Sequence, residues 1–229
     1  MTASAATQSG TDGSEHRAAL AAAGTALVCD ALDALGVRSH FLGPSITAIT
    51  DGPAIAGPAV TMTCRALGVD EASAERPYGV LMDALRDDRA DAVLVIQTDD
   101  RCSGVWGELL SVAALARGIR GVVTDGLVRD RSGIAATGLP VFASGLSPLD
   151  SAGRQEFASF GDPIQIDGIE IASGDWIVAD ELGAVRIPAD LVGEVAVHVS
   201  AKAVAEDTVR AELAAGEPLG DVFDRHGIL

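Results

Sequence analysis

Short apolar runs alternate with helical patterns over residues 92–143, and this alternation limits the possible folds more than any other feature of the sequence. Residues 92–96, 121–125 and 140–143 have the length and the branched side chains of buried strands. Residues 132–137 show a short helical pattern between the last two runs. Two strands that are joined through a helix usually lie parallel in one sheet. The sequence therefore predicts a parallel sheet with helices packed against it.

Segments on the N-terminal side of this region predict further helices and strands. A helix is expected over residues 26–35, with Thr25 as its N-cap and Gly36 as its terminator. A second helix is expected over residues 77–85. Residues 41–66 contain three Gly-Pro pairs, which predict short strands joined by tight turns.

The C-terminal part of the sequence has a different texture. Beyond residue 161, short apolar segments separated by Asp-Gly and Ser-Gly-Asp predict a β-rich layer, and residues 188–215 predict a long helix. Residues 1–15 are small and polar and offer little to bury, so a flexible leader is expected there. The remaining residues, 16–229, are expected to form one domain, since 48% hydrophobic content is enough for a single core.

The net charge argues against two classes of partner, and the N-terminus and cysteines indicate a location. The formal charge of −17 at pH 7 opposes binding to phosphate backbones and anionic membranes, so neither nucleic acid nor a membrane is an expected partner. The N-terminus lacks an export signal, and the three cysteines form no Cys-x-x-Cys pair, which favours reduced thiols and a cytoplasmic location. A small anionic substrate is still compatible, because a local arginine or a metal ion can reverse the field within one pocket.

The first candidate site is the junction at residues 104–110, where a polar turn leads into an apolar helix. Free amide groups at the start of a helix bind carboxylates well, and Glu108 in the first turn is expected to face the same cavity as Gly107. Alternatively, Gly107 ends a turn and Glu108 only stabilises the helix dipole. The junction alone leaves both interpretations open.

The second candidate site is at residues 124–130, which follow the apolar run at residues 121–125. Loops at the carboxyl ends of parallel strands commonly carry the chemistry of α/β proteins. Arg129 offers a planar fork for a carboxylate or an enolate, and Asp130 offers hard oxygen ligands for Mg²⁺. The alternative is a surface ion pair beside a capping aspartate.

Other acidic residues and the histidines give weaker signals. Asp175 is best explained as a turn residue, and Glu206 and Glu212 as solvated positions on the last helix. The four histidines are scattered without metal-ligand spacing, which argues against a histidine-based mechanism.

Together these segments resemble the family that contains 4-hydroxy-4-methyl-2-oxoglutarate aldolase and the regulator of ribonuclease activity A. The resemblance runs from about Thr25 to Gly216, and its order and spacing are more specific than any single motif. The matching pieces are Thr25-x-x-x-x-Asp30-Ala31-Leu32, Gly57-Pro58-Ala59-Val60-Thr61, Trp106-Gly107-Glu108-Leu109, Arg117-Gly118-x-x-Gly121-Val122-Val123-x-Asp125-Gly126-x-x-Arg129-Asp130, Pro140-Val141-Phe142 and Ser173-Gly174-Asp175-x-Ile177-x-Ala179-Asp180.

The resemblance implies a swivelling β/β/α fold with a central sheet, flanking helices and active sites between the subunits of a homotrimer or homohexamer. It implies that Arg129 holds a 2-oxo acid and stabilises its enolate, and that Asp130 binds Mg²⁺ or Mn²⁺ directly. Glu108 would support metal-bound water, and Glu206 would enter the site of a neighbouring subunit. The substrate carboxylate would be received at the helix start by Gly107, Glu108, Leu109, Leu110 and Ser111.

The activity implied by the resemblance is that of a class II lyase. Such an enzyme cleaves 4-hydroxy-4-methyl-2-oxoglutarate or a related 4-hydroxy-2-oxo acid to pyruvate, and the same electron sink would decarboxylate oxaloacetate. The alternative is a non-catalytic regulator that binds ribonuclease E, although relatives of that kind lack the metal aspartate. Methyl transfer is disfavoured, because no strand is followed by a Gly-rich loop for a methyl donor.

Two segments depart from the family pattern. Residues 97–103 are more polar and bulkier than the Gly-rich stretch expected there, which leaves the choice of substrate open. Residues 181–184 also differ, and this change is expected to alter only a turn away from the proposed metal.

Overall fold

A computed structural model describes residues 4–71, 76, 78–87 and 89–228 of the chain, with side chains from residue 13 onward. The helices in these residues are α1 (Ser4–Ala34), α2 (Gly79–Ala84), α3 (Glu108–Leu115), α4 (Arg131–Thr137), α5 (Val192–Ala214) and α6 (Leu219–His226), with a 3-10 turn at Ala189–Leu191. The strands are β1 (Thr47–Ala48), β2 (Ile55–Ala66), β3 (Val93–Thr98), β4 (Gly104–Trp106), β5 (Gly121–Thr124), β6 (Leu127–Val128), β7 (Val141–Ala143), β8 (Gly145–Leu146), β9 (Gln155–Phe160), β10 (Ile164–Ile166), β11 (Ile169–Ile171), β12 (Trp176–Asp180) and β13 (Gly183–Ile187). None of the described helices is long and apolar enough to cross a membrane.

The largest sheet has its parallel strands at the centre. Its order is β1-β7-β5-β3-β2-β12-β13, and β9 also pairs with β2. Strands β2, β3, β5 and β7 run parallel, which confirms the prediction from the alternating strands and helices. Just before β1, Phe41 bridges Val185 of β13, and the Leu42 N–H donates to the Ala184 carbonyl at 3.0 Å. The sheet therefore curls until it is nearly closed.

Strand β3 is buried on both faces, which explains its uninterrupted apolar sequence. Leu94 and Ile96 pack into the core beneath helices α2, α3 and α4. Val93 and Val95 point into the interior of the curved sheet. A third apolar cluster lies under α1 and α5. Helices thus flank a sheet whose interior is filled by its own side chains.

A second parallel sheet, β4-β6-β8, extends the carboxyl ends of three central strands. The chain passes from β3 to β4, from β5 to β6 and from β7 to β8 within a few residues. Helix α3 then follows β4, helix α4 follows β6, and a loop at residues 147–154 follows β8. The small sheet therefore gathers the residues that follow three separate strands at one end of the molecule.

Strand β2 shows that one prediction from the glycines and prolines is wrong. Residues 41–66 form the two-residue strand β1 and the twelve-residue strand β2, and β2 runs unbroken through Gly57 and Pro58 instead of turning there. On the β3 side, Pro58 precedes the first strand pair, so its missing N–H removes no ladder hydrogen bond there. A side-chain carbon on Gly57 would lie 2.2 Å from the Asp91 carbonyl oxygen. This Gly-Pro pair therefore marks a close backbone contact instead of a turn.

Helix α1 is interrupted at Gly24, whose φ of 74° is left-handed. The carboxylate of Asp180 caps the half that follows, because it accepts hydrogen bonds from the Thr25 N–H and from the Thr25 hydroxyl, both at 2.7 Å. The sequence predicts Thr25 as the cap, but the capping oxygens come from strand β12. The helix ends next to Gly36, as predicted, where φ is 80°.

The C-terminal layer agrees with the sequence, and the described chain has a helix near each end. Strands β10 and β11 form a hairpin through Asp167-Gly168, whose φ angles of 48° and 80° suit a tight Asp-Gly turn. After α5 the chain forms a further short helix, α6. Helix α1 begins at Ser4, inside the segment 1–15 that the sequence predicts to be a flexible leader, while residues 1–3 and Pro77 lie outside the described residues.

Candidate functional site

A pocket of about 600 Å³ opens where the segments after β4, β6 and β8 meet. Its polar part contains Gly107 and Glu108 after β4, Arg129 and Asp130 after β6, and Asp150 after β8. Its apolar part comes from α2, α3 and the residues beside them. The two candidate sites found in separate parts of the sequence are thus brought into one cavity.

Arg129 lies between two carboxylates at the polar end of the pocket. Its Nε is 3.1 Å from Asp130 Oδ2, and its Nη1 is 3.3 Å from Asp150 Oδ1. The hydrogen bond and the charge of Asp130 raise the pKa of Arg129, so the guanidinium stays charged. The side chains of Arg129 and Asp130 are 36% and 42% exposed, which leaves both accessible to a ligand.

Asp130 has a left-handed backbone, with a φ of 57°. This conformation is uncommon outside glycine, although aspartate and asparagine tolerate it better than other residues. Its carbonyl oxygen accepts the Ile134 N–H at 2.8 Å, which starts helix α4 directly after the carboxylate. Residues in sparsely populated conformations are concentrated at functional sites.

Glycines leave the space that the pocket carboxylates occupy. A side-chain carbon on Gly107 would lie 2.9 Å from Asp130 Oδ2, and one on Gly133 would lie 2.4 Å from Glu108 Oε2. Neither glycine has a left-handed φ, so the constraint is close approach and not backbone freedom. The positions of both carboxylates therefore depend on glycines in a neighbouring segment.

The start of helix α3 supplies free amides, but Ser111 is not one of their sources. The Ser111 N–H donates to the Gly107 carbonyl at 3.1 Å, as the first regular bond of the helix. The Ser111 hydroxyl is buried, accepts from Trp106 Nε1 at 2.8 Å and donates to the same carbonyl at 3.0 Å. Glu108, Leu109 and Leu110 line the pocket in the first turn, where amides have no helical acceptor.

Among the pocket residues that the sequence reasoning missed are three polar ones that lie next to each other: Tyr78, Asp150 and Ser151. Tyr78 Oη is 2.5 Å from Ser151 Oγ and 3.5 Å from Asp150 Oδ1. A backbone hydrogen bond from Ala152 and the neighbouring Arg129 hold the pKa of Asp150 below its usual value, despite partial burial. The signal that points to Asp150 is its place after the third strand of the alternating region, which matches the places of Glu108 and Arg129.

The polar segment at residues 97–103 has a structural role beneath the pocket. The Asp100 carboxylate accepts the Cys102 N–H at 2.9 Å and the Ser103 N–H at 3.0 Å. Burial raises the pKa of Asp100, but these two hydrogen bonds and a third from the Ser103 hydroxyl have a larger, opposite effect. The pKa of Asp100 therefore lies below its usual value. Gln155 Nε2 donates to Ser103 Oγ at 2.8 Å. This network fixes the loop that leads into β4.

Some acidic residues lie away from the pocket. Glu206 is paired along α5 with Lys202 at 3.9 Å and Arg210 at 4.0 Å, and it does not line the cavity of its own chain. Asp175 is buried and accepts from Arg186 Nε at 2.8 Å, so it fixes a turn, as the sequence indicates.

The described side chains do not form a complete metal cage. Among them, no group of three or more His, Cys, Asp or Glu residues is arranged to hold a metal ion. Mg²⁺ commonly binds through one or two carboxylates and keeps several waters or substrate oxygens. Asp130 and Glu108 share a pocket and are hard oxygen donors, so they fit an ion whose remaining ligands come from water and substrate.

Similar sequences come from several organisms. The RraA-like family model, described as Aldolase/RraA, matches residues 25–186. Protein DlpA of Legionella pneumophila is 32% identical over 197 residues, which are 85% of this chain and 31% of DlpA, so the chain spans about a third of that relative. A protein of Halalkalibacterium halodurans named "Putative 4-hydroxy-4-methyl-2-oxoglutarate aldolase" is 27% identical over 164 residues, 72% of each chain.

Solved structures show the same fold. RraAS2 of Streptomyces coelicolor, described as an unusual member of the RNase ES inhibitor RraA protein family, has a TM-score of 0.74 and 26% identity, over 86% of this chain and 96% of that one. An uncharacterized protein from Pseudomonas syringae pv. tomato has a TM-score of 0.73 and 28% identity, over 86% and 90% of the two chains. Since the family model also covers most of the sequence, the chain belongs to the RraA-like family.

Proposed function

We propose that this protein is a divalent-metal-dependent lyase that cleaves 4-hydroxy-4-methyl-2-oxoglutarate or a related 4-hydroxy-2-oxo acid to pyruvate. The observation that carries the proposal is that Arg129, Asp130 and Glu108 line one pocket together with the first turn of α3. A guanidinium, two carboxylates and free amides are the groups that enolate chemistry with a metal requires. The name of the Halalkalibacterium halodurans relative supports the same reaction.

The pocket offers separate groups for the two ends of a 2-oxo acid. The amides of Glu108, Leu109 and Leu110 would receive the carboxylate, since the start of a helix favours negative charge. The Arg129 guanidinium would donate hydrogen bonds to the 2-oxo oxygen. When the C3–C4 bond breaks, its electron pair rests on the enolate of pyruvate, and the charge of Arg129 stabilises that enolate.

Asp130 and Glu108 would hold the metal and move the proton. Asp130 would bind Mg²⁺ or Mn²⁺ directly, and the ion would supply Lewis-acid polarisation of the 2-oxo group. Glu108 is exposed to the same pocket and would exchange a proton with the substrate through water. The same arrangement would decarboxylate oxaloacetate, because loss of CO₂ leaves the same enolate.

We also propose a homotrimer or homohexamer in which Glu206 completes the pocket of a neighbouring subunit. Support comes from large apolar side chains in the pocket wall that are exposed in the single chain, Leu109 at 82% and Met82 at 54%. Light scattering on the purified protein would give the assembly size. Glu206→Gln should then lower turnover without changing that size. The cytoplasmic location stays a prediction from the sequence.

A second candidate function is regulation of a ribonuclease by direct contact. The observation that favours it is the likeness to RraAS2, which is described as belonging to an RNase ES inhibitor family. The discriminating assay measures RNA cleavage by a ribonuclease of that type with and without this protein. Inhibition that persists in Asp130→Asn would assign that effect to a surface and not to the pocket.

Pyruvate release is the experiment that tests the lyase. The protein is incubated with 4-hydroxy-4-methyl-2-oxoglutarate or with oxaloacetate, first with Mg²⁺ or Mn²⁺ and then with a chelator. Release that stops with the chelator is the expected result. Absence of release from these and from other 4-hydroxy-2-oxo acids would overturn the proposal and leave the regulator as the better account.

A further inference from the structure

We propose that Asp150 is a positioning residue for Arg129, and that it holds the guanidinium in the direction needed to bind the enolate of a 2-oxo acid. This inference rests on the proposed function and deepens it, because it adds a residue that acts on the reaction only through Arg129. The observation that carries it is the contact between the guanidinium and the Asp150 carboxylate, which follow strands β6 and β8 of the small sheet.

The stem of the Arg129 side chain lies against two glycines. A side-chain carbon on Gly104 would lie 3.2 Å from Arg129 Cγ, and one on Gly107 would lie at the same distance from that atom. A larger residue at either position would therefore push the stem away. The glycines fix where the side chain runs, but they have no side-chain group that could orient its charged end.

The charged end of Arg129 is held by carboxylates on two of its nitrogens. Nε lies 3.1 Å from Asp130 Oδ2, and Nη1 lies 3.3 Å from Asp150 Oδ1. Contacts at two nitrogens of one planar group define its orientation, whereas a single contact leaves it free to rotate. Asp130 is also the proposed metal ligand, so a bound ion competes with Arg129 for its charge. Asp150 is therefore the contact that continues to orient Arg129 when the ion is present.

Asp150 can orient a neighbour because its own position is fixed. Its backbone forms a bridge to Gly104, so the glycine that contacts the stem of Arg129 also anchors Asp150. Its Oδ1 atom accepts the Ala152 N–H at 3.3 Å and lies 3.5 Å from Tyr78 Oη. The Ala152 hydrogen bond and the charge of Arg129 hold the pKa of Asp150 below its usual value, so the carboxylate is ionised at neutral pH.

A surface ion pair and a positioning contact predict opposite effects when the charge of Asp150 is removed. This carboxylate is negative and lies beside the proposed place of an anionic substrate, so by itself it repels that substrate. Without a role in positioning, its neutralisation would raise the affinity for an anion. With such a role, its neutralisation lowers the affinity, because a guanidinium that turns away loses its hydrogen bonds to the anion.

The test measures the binding of oxalate to the full chain by calorimetry in the presence of Mg²⁺. Oxalate is a planar dianion that resembles the enolate of pyruvate, so it reports on the enolate site without turnover. Asp150→Asn keeps the size of the side chain and removes its charge. The expected result is an oxalate affinity that is lower by at least about fivefold, within the range of coupling between residues in contact.

Asp83→Asn is the matched control for this variant. The Asp83 side chain is 51% exposed and that of Asp150 is 53% exposed, and Asp83 forms an ion pair of 2.8 Å with Arg86 outside the pocket. Its neutralisation removes the same charge and the same kind of ion pair, so the oxalate affinity should stay within about twofold of the parent value. Circular dichroism should show that both variants are folded.

A second background shows whether Asp150 acts through Arg129. In Arg129→Gln the guanidinium is absent, so only the repulsion between Asp150 and the anion remains. Adding Asp150→Asn to this background should cause no loss of oxalate affinity and a small gain. A change from loss to gain between the two backgrounds is the coupling that a positioning role requires.

The outcomes separate this inference from the proposed function. An unchanged or higher oxalate affinity in Asp150→Asn would overturn the inference, as would an equal loss in both backgrounds or the absence of oxalate binding to the parent protein. Pyruvate release by the parent protein, measured alongside, decides the proposed function. Coupling without release would overturn the lyase and leave Asp150 as the residue that orients an anion-binding Arg129. Release without coupling would overturn the inference and leave the lyase in place.

Discussion

At the scale of single residues, Asp130 combines a backbone constraint with a chemical role. Its left-handed φ of 57° is tolerated by aspartate and asparagine, and its carboxylate contacts Arg129 Nε at 3.1 Å. The ion pair is exposed, so it contributes only about 0–1 kcal/mol to stability. Function and stability are therefore separable at this position.

Asp130→Asn should stop metal-dependent turnover and leave the fold intact. Asparagine keeps the left-handed backbone but loses the charged oxygen that would bind the metal. Loss of a residue that only supports a metal ligand lowers activity by up to about a hundredfold, so loss of the ligand itself should lower kcat/KM by more than that. The free energy of unfolding should change by less than about 1 kcal/mol. Asp167→Asn is the control, because Asp167 also has a positive φ, of 48°, but lies in the β10–β11 hairpin. Normal turnover in Asp130→Asn would contradict the site.

Gly107→Ala should damage the pocket without unfolding the protein. The new carbon would lie 2.9 Å from Asp130 Oδ2 and 3.2 Å from Arg129 Cγ, so both side chains must shift. A displacement of about 1 Å at a reacting group can lower the rate about a hundredfold. Steady-state kinetics would measure the loss, with Gly220→Ala as the control, because a carbon there meets nothing within 4 Å. Equal rates in the two variants would refute this account of Gly107.

At the scale of elements, one buried carboxylate joins helix α1 to strand β12. Asp180 is 8% exposed and accepts hydrogen bonds from the Thr25 N–H, the Thr25 hydroxyl and the Leu182 N–H. Each bond to a buried charged group contributes roughly 1.5–3 kcal/mol. This contact brings together two residues that are 155 positions apart in the sequence.

Thr25→Val should destabilise the protein by roughly 1–3 kcal/mol, because the Asp180 carboxylate loses a hydroxyl donor that apolar valine cannot replace. Thr25→Ser keeps the hydroxyl and should change stability by much less. Urea unfolding followed by circular dichroism would compare the two variants at one pH. If Thr25→Ser and Thr25→Val lower the free energy of unfolding by the same amount, the hydroxyl hydrogen bond is not what links α1 to β12.

At the scale of the whole molecule, the sequence predicts the strands better than the way they close. The apolar runs of β3, β5 and β7 indicate parallel strands, because each run is buried on both faces and separated by a helix. The near-closure of the sheet depends on Phe41 meeting Val185, a pairing across 144 residues that no local pattern shows. Long-range pairing of this kind depends on the curvature of the whole sheet.

The sequence also predicts only part of the candidate site. Arg129, Asp130 and Glu108 follow apolar runs, so the rule for carboxyl ends of parallel strands finds them. Tyr78 and Ser151 do not follow this rule, because their hydrogen bond forms only after the small sheet has brought α2 and the loop after β8 together. Ser111 was assigned to the pocket from its place in the motif, but helix geometry turns its hydroxyl into the core.

The three cysteines allow the stability of the whole molecule to be measured. Cys102 is exposed, whereas Cys64 lies on the central strand β2 with 1% exposure. Burial raises the pKa of Cys64 to about 12, and burial with nearby carboxylates raises that of Cys29 to about 11. A thiol reagent at pH 8 should therefore label one cysteine fast and Cys64 only after global unfolding.

The same pKa shifts set the sign of the pH dependence. The thiols titrate near pH 8.5 in the unfolded chain, so their contribution to stability is complete below that pH. As the pH rises toward 11 and 12, the unfolded chain releases protons that the folded chain retains, and stability falls. Urea midpoints at pH 8 and pH 10 would measure this decrease, which Cys64→Ala should reduce. In labelling at pH 8, Cys102→Ser should remove the fast phase alone, and fast labelling of Cys64 in native buffer would show that strand β2 opens locally.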